Sequence, residues 1–117
     1  MTPHVTQRDT CATCHGNHYV VEEGGIKPCP ACSEFDEIDA IIMDRAQHYG
    51  PPEENFERIA AGWAQIFGVE VTLVQVALAQ DWVKTSRLVN DPTHVDSWKD
   101  KLGYTRIGER LAPKARP

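Results

Sequence analysis

A mainly α fold with a small cysteine-bearing front end is predicted from three observations. Apolar residues recur at helical spacing in four stretches between residues 34 and 111. Gly50-Pro51-Pro52, Gly68 and Asn90-Asp91-Pro92 separate those stretches at points where a helix does not readily continue. Ahead of them, two Cys-x-x-Cys pairs, Cys11/Cys14 and Cys29/Cys32, stand fourteen residues apart. A chain of 117 residues can form one compact domain, or a metal-stabilised module plus a minimal helical core.

Residues 1–10 are polar and unpatterned, and they read as a mobile lead-in. The two cysteine pairs then fit a tetrahedral Zn(Cys)4 ribbon, because each knuckle turn points two thiolates at one metal. Tyr19-Val20-Val21 and Ile26-Lys27-Pro28 flank Glu22-Glu23-Gly24-Gly25, a short β-hairpin joining the knuckles. A redox role would place a Cys-x-x-Cys pair at a helix start beside a βαβ pattern, which this sequence lacks. His15 and His18 are near enough to compete for the metal, but four thiolates already close a structural site. So small a ribbon has too little apolar surface to fold without its ion.

The first helix is expected over about 34–48, with Ser33 as N-cap and Phe35, Ile38, Ile41 and Ile42 on its apolar side. Glu34, Asp36 and Glu37 occupy its first turn, where the helix dipole favours acids. Gly50 caps its end, next to Arg45, His48 and Tyr49. The second helix runs from Pro52 to Phe67, with Phe56, Ile59, Ala60, Trp63, Ile66 and Phe67 as a core stripe. Glu54 and Glu57, three apart near its start, are either dipole-favoured acids or ligands for Mg2+. Thr72-Leu-Val-Gln75 is a capping box opening the third helix. Apolar residues wrap almost all round that helix's first half, predicting the central, most buried helix. The fourth spans roughly 93–111 and carries Gly103 at mid-helix, where a neighbouring helix or a ligand approaches closely.

Charge and motif content remove several function classes. The net charge of −5 argues against general binding to DNA or anionic membranes. Between the knuckles Lys27 is the one cation, set against Glu22 and Glu23, too few for phosphate-backbone contact. No apolar run approaches the roughly 20 residues that cross a bilayer, and the N-terminus reads as lacking a secretory signal. The cytosol is the expected compartment, where paired cysteines favour metal over disulfides. Ser33, Ser86 and Ser97 lack the strained turn that exposes a nucleophile. Gly24-Gly25 lacks the Lys-Ser/Thr of a phosphate loop.

The stretch from Lys84 to Tyr104 gathers the remaining chemistry. Lys84 and Arg87 share one face of the third helix, and Asp96 and Asp100 share one face of the fourth. Folded back as a hairpin, the basic and acidic pairs can meet. They then form either a structural ion-pair network or a site where cations hold phosphate and Mg2+ sits on carboxylates. Tyr49, Trp98 and Tyr104 could stack on a base.

Arg45, His48-Tyr49-Gly50-Pro51, Glu54-Asn55-Phe56, Lys84, Arg87-Leu88, His94, Asp96-Ser97-Trp98, Asp100 and Gly103-Tyr104, in that order, resemble a small helical domain of unknown function widespread in tailed phages and prophages. The resemblance covers about residues 44–108. The ribbon resembles additions seen on some actinobacterial phage proteins. More distantly, the pattern is similar to phage nucleotide kinases lacking a P-loop and to all-α nucleotide pyrophosphohydrolases of the MazG type. That similarity implies Lys84 and Arg87 as phosphate contacts. It implies Asp96, Asp100 and His48 as the catalytic set, with Arg45, Tyr49, His94, Tyr104 and Glu54 lining the ligand site. Glu54-x-x-Glu57 is followed only much later by Asp96-x-x-x-Asp100, a departure from the pyrophosphohydrolase spacing.

The expected organisation is a four-helix bundle-like domain at 34–112, preceded by a zinc ribbon at 1–33 with Cys11, Cys14, Cys29 and Cys32 as ligands. A disordered tail follows at 113–117. The expected function is binding or processing of nucleotides; the alternative is a non-enzymatic factor that binds a host protein. A homodimer is the default state for a helical domain of this size.

Overall fold

The computed structural model describes residues 11–32 and 34–113. Among them lie a two-stranded hairpin, β1 (Tyr19–Glu22) and β2 (Gly25–Pro28), and four helices: α1 (Glu37–Tyr49), α2 (Pro52–Phe67), α3 (Leu73–Asn90) and α4 (Val95–Leu111). The lead-in at 1–10, the Ser33 cap and the tail at 114–117 lie outside the described residues. No helix of the described residues is long and apolar enough to cross a membrane.

The chain divides between Pro51 and Pro52 into two compact units. By its contacts α1 falls in the first unit, with the hairpin. The reason is local packing: α1 lies against β2 and buries Asp39, Ile42 and Ala46, while Ile26 is the buried residue of β2.

In the first unit the strands pair antiparallel, from Tyr19 opposite Pro28 to Glu22 opposite Gly25. Gly24 at φ 132° and Gly25 at φ 125° supply the backbone that so tight a reversal needs. The helix begins three residues later than its pattern predicts because Asp36, in extended backbone, caps it. The Asp36 carboxylate accepts N–H bonds from Ile38 and Asp39, and Asp39 returns the bond to the Asp36 N–H. Gly50, at φ 82°, ends α1 as expected.

In the second unit, Phe56, Ala60, Val76 and Ala77 form the buried cluster, with Ile59, Trp63, Tyr104, Ile107 and Leu111 packed around it. Burying a side chain like Phe56 contributes about 1.5–3 kcal/mol. The Thr72–Gln75 capping box forms in both directions, at 3.1 and 2.9 Å. Helix α4 starts at Val95 rather than 93 because His94 is its cap. The turn before it is held by Asp91, whose carboxylate accepts from the Thr93 hydroxyl at 2.6 Å and its N–H at 3.1 Å. Those bonds hold the Asp91 carboxyl below its ordinary range.

Helix α3 departs from the expectation of burial all round. Val76, Ala77 and Leu88 are buried, but Leu78, Trp82 and Val89 point outward. Neighbouring helices cover only one side of it.

A close approach between α3 and α4 occurs at Gly108, where an added Cβ would meet the Ala77 Cβ at 3.1 Å. Gly62 in α2 has open space instead. Gly108→Val should therefore lower unfolding stability by about 1–3 kcal/mol through overpacking. Gly62→Ala should raise it by roughly 0.5–1 kcal/mol through helix propensity. Urea titration followed by circular dichroism reads both, and equal effects at the two positions would contradict the packing described.

Candidate metal centre and helical seam

The knuckle turns bring the thiols together. The Cys11 carbonyl accepts the His15 N–H at 2.8 Å, and the Cys14 carbonyl accepts the Asn17 N–H at 3.0 Å. His15 and His18 take left-handed backbone, φ 54° and 67°, on either side of Gly16 at φ 89°. The Cys29 N–H donates to the His18 carbonyl at 2.9 Å, which draws the second knuckle against the first. As a result the sulfurs of Cys11, Cys14 and Cys29 all lie within 4.8 Å of one another, Cys14 and Cys29 being buried.

Cys11 Sγ and Cys29 Sγ are 3.9 Å apart. Two thiolates at about 2.3 Å from one tetrahedral ion would be separated by roughly 3.8 Å, so this donor set fits such an ion. Cys32, the fourth cysteine of the two knuckles, lies outside that group of three. The backbone N–H of Cys14 holds the Cys11 thiol down to about 7, whereas burial pushes Cys29 and Cys32 up. Among the described residues this is the one group of three or more metal-capable side chains that assembles.

His18 turns to carboxylates rather than to the thiols. Its Nδ1 shares a 2.7 Å hydrogen bond with Asp39 Oδ2, and its Nε2 lies 3.7 Å from Glu34 Oε1. Both His18 and Asp39 are buried. One residue thus links three things: the second knuckle through its carbonyl, the hairpin through its place next to β1, and the start of α1 through Asp39. Local sequence signals do not show this pair, because its partners stand twenty-one residues apart and Ser33 is the N-cap that the pattern predicts. Asp36-x-x-Asp39, a capping-box spacing with acids at both ends, was the available signal.

In the second unit the seam between α3 and α4 carries two polar connections. Lys84 Nζ lies 2.9 Å from Asp100 Oδ2, with side chains 12% and 11% exposed. Lys101 Nζ donates to Asp81 Oδ1 at 2.9 Å and to Thr85 Oγ1 at 2.7 Å, and the Thr85 hydroxyl donates on to the Asp81 carbonyl. Asp81, Thr85 and Lys101 form a second link that sequence reading did not find, because partners twenty residues apart leave no local signal. Lys84 and Asp100 do come together as expected; their companions Arg87 and Asp96 are exposed.

The other expected site residues have local roles. His94 Nδ1 meets the Ser97 hydroxyl at 2.7 Å and accepts the Ser97 N–H at 3.2 Å, capping α4. Tyr104 packs its ring against Phe56, centroids 6.2 Å apart, as part of the core edge. Trp98 is tied by Nε1 to the Pro92 carbonyl at 2.9 Å. Glu54 is exposed in the first turn of α2. Within the first unit, Arg45 pairs with Asp44 at 2.6 Å, and the rings of His48 and Tyr49 meet edge-on.

Two stability measurements follow. Asp39→Ala removes a buried carboxylate that serves both His18 and the α1 cap, and should cost on the order of 3 kcal/mol. The loss should show first as faster amide exchange over 37–49; unchanged exchange there would contradict the linkage. At the seam, Lys84→Ala alone should cost on the order of 3 kcal/mol, whereas Lys84→Met with Asp100→Leu should come out near neutral. A double-mutant cycle by denaturant unfolding measures the difference, and a null coupling would mean the two charges do not interact.

Comparison with known proteins places residues 35–112 in the family model described as "Domain of unknown function (DUF6378)". The chain is 40% identical over 74 residues to the Gene 55 protein of Mycobacterium phage L5, covering 62% of this chain and 47% of that protein. It is 31% identical over 80 residues to the Gene 55 protein of Mycobacterium phage D29, covering 68% of this chain and 53% of that protein. The chain thus spans about half the length of the curated relatives it matches. No solved structure matches it.

Proposed function

Since this chain belongs to the DUF6378 family, whose description assigns no activity, we propose a function from its own side chains: a zinc-stabilised binding protein whose hairpin presents a recognition surface to a protein partner. The observation that supports this reading is the group of three sulfurs within 4.8 Å; Cys32, the remaining cysteine of the two knuckles, is the proposed fourth ligand. Cys11, Cys14, Cys29 and Cys32 would hold zinc there, and the bound ion would tie the two knuckles at one point. Thiolate ligands must lose their protons, which the depressed Cys11 favours. The hairpin they anchor projects Val21, which is exposed, beside the ion pair of Lys27 and Glu22 at 3.2 Å. With its cation engaged by an acid, this surface suits protein contact better than a phosphate backbone.

Phage infection, and therefore a host protein in the cytoplasm, is the setting the relatives suggest for such a partner. Purified chain should hold one zinc by mass spectrometry, and Cys29→Ser should lose it. A partner recovered from host lysate by the wild type should be lost with Cys29→Ser. Zinc-free protein with an intact hairpin would sink the metal reading, and identical partners for both proteins would exclude the ribbon from recognition.

A second reading, binding of nucleotides at the seam, is favoured by the Lys84–Asp100 pair. A lysine 12% exposed, with Arg87 one turn further on the same helix face, is a place where phosphate could exchange with a carboxylate. Asp100, released, and Asp96 could then hold Mg2+ against that phosphate. A panel of nucleoside mono-, di- and triphosphates with Mg2+ should raise the melting temperature if this is so, with Arg87→Ala abolishing the rise. No rise with any of them leaves the pair as a structural tie between helices.

A further inference from the structure

Seven large apolar side chains on α3 and α4 lie open; Val83 stands apart on its helix, and the other six are Leu78, Trp82, Val89, Val95, Trp98 and Leu102, each between 49% and 81% exposed. At about 100° per residue, Leu78, Trp82 and Val89 fall within one narrow stripe of α3, on the side away from Val76. Val95, Trp98 and Leu102 make a corresponding stripe on α4. The two stripes belong to one face. Thr85 is the neighbour of the α3 stripe on its helix wheel, Lys101 is the neighbour of the α4 stripe, and these two residues are hydrogen-bonded at 2.7 Å. Lys101 and Asp81 thus form a polar row down the middle of an apolar face, while Phe56, Val76 and Tyr104 mark the opposite, covered side of the hairpin.

We propose that this face of the α3–α4 hairpin docks a second copy of the chain, the two hairpins meeting about a twofold axis as a four-helix interface. Area supports a stable interface. Side chains of roughly 150–250 Å² each when fully open, exposed to this degree, present on the order of 700 Å² together. A standard protein interface covers about 800 Å² per partner. Charge supports a copy rather than a charged partner. The central row is balanced, Lys101 against Asp81, and the α4 margin alternates Lys99 and Arg106 with Glu109. Such a face neither repels itself nor attracts polyanions. Because Lys101 already donates to Asp81 and Thr85, covering it with apolar surface leaves its charge paired, and the row sets the register of the two copies. Trp98, held at its indole by the Pro92 carbonyl, is pre-positioned and loses little freedom on docking.

Sedimentation equilibrium of the full chain tests this independently of the metal and nucleotide readings. Wild type should show twice the chain's mass in the micromolar range. Trp82→Glu and Leu102→Glu, each placing two uncompensated charges in the twofold interface, should halve that mass with helix content unchanged by circular dichroism. Ile66→Glu, a substitution at an exposed apolar residue outside the face, should leave the dimer intact. A chain that stays monomeric up to high-micromolar concentration overturns the proposal and hands the face to another occupant, a further segment of a longer chain or a different protein. A dimer broken by Ile66→Glu and spared by Trp82→Glu overturns it equally, by placing the contact elsewhere.

Discussion

With Phe56, Ala60, Val76 and Ala77 as the buried centre of the helical unit, two of them alanine, the chain has little apolar interior to define how its elements meet. Hydrophobic burial is non-directional and grows with area, so a core this small leaves orientation underdetermined. Polar contacts at the seams supply the missing direction. Lys84–Asp100 and Lys101–Asp81–Thr85 link α3 and α4, and Gly108 against Ala77 brings their backbones close. Each contact is geometrically exacting, and a buried or half-buried charge left without its partner is costly. The hairpin of helices is therefore specified more by what must be paired than by what must be hidden.

The first unit meets the same constraint with different chemistry. Its buried apolar residues include Ile26, Ile42 and Ala46, with the cysteine sulfurs of Cys14 and Cys29 contributing as buried atoms in their own right. Three thiols drawn together replace a core that the chain is too short to build. The His18–Asp39 pair carries the order of that cluster into α1. Cysteine cluster, hairpin and helix cap are one connected set of contacts, which is why the helix keeps company with the hairpin.

The charged residues that resemble a phosphate site are in part engaged with one another, since Lys84 meets Asp100 directly. Exposed apolar residues among those described include Val21 on the hairpin and the tryptophan-bearing face of the helical unit. Exposed tryptophans and leucines gathered on one face are characteristic of contact with another macromolecule. The stretches matched in the two Gene 55 proteins are 47% and 53% of those proteins, which extend beyond them.

Helix positions and ends were legible from the sequence because their signals are local. Pro52 begins α2, the Thr72–Gln75 box begins α3, and Gly50 and Gly68 end α1 and α2, each through backbone chemistry acting over a few residues. The spacing of the cysteines likewise announced the convergence of Cys11, Cys14 and Cys29, and the hairpin of helices put Lys84 and Asp100 at the seam. Sequence alone did not determine which charge would meet which, that Asp39 near the start of α1 would pair with His18, or that one side of α3 would be left open. Those outcomes depend on partners brought close by folding: His18 and Asp39 across twenty-one residues, Lys101 and Asp81 across twenty. An apolar run such as Val76-Ala77-Leu78-Ala79 has the same composition whether a helix packs on one side or on all. Only the tertiary arrangement decides how much of it is covered.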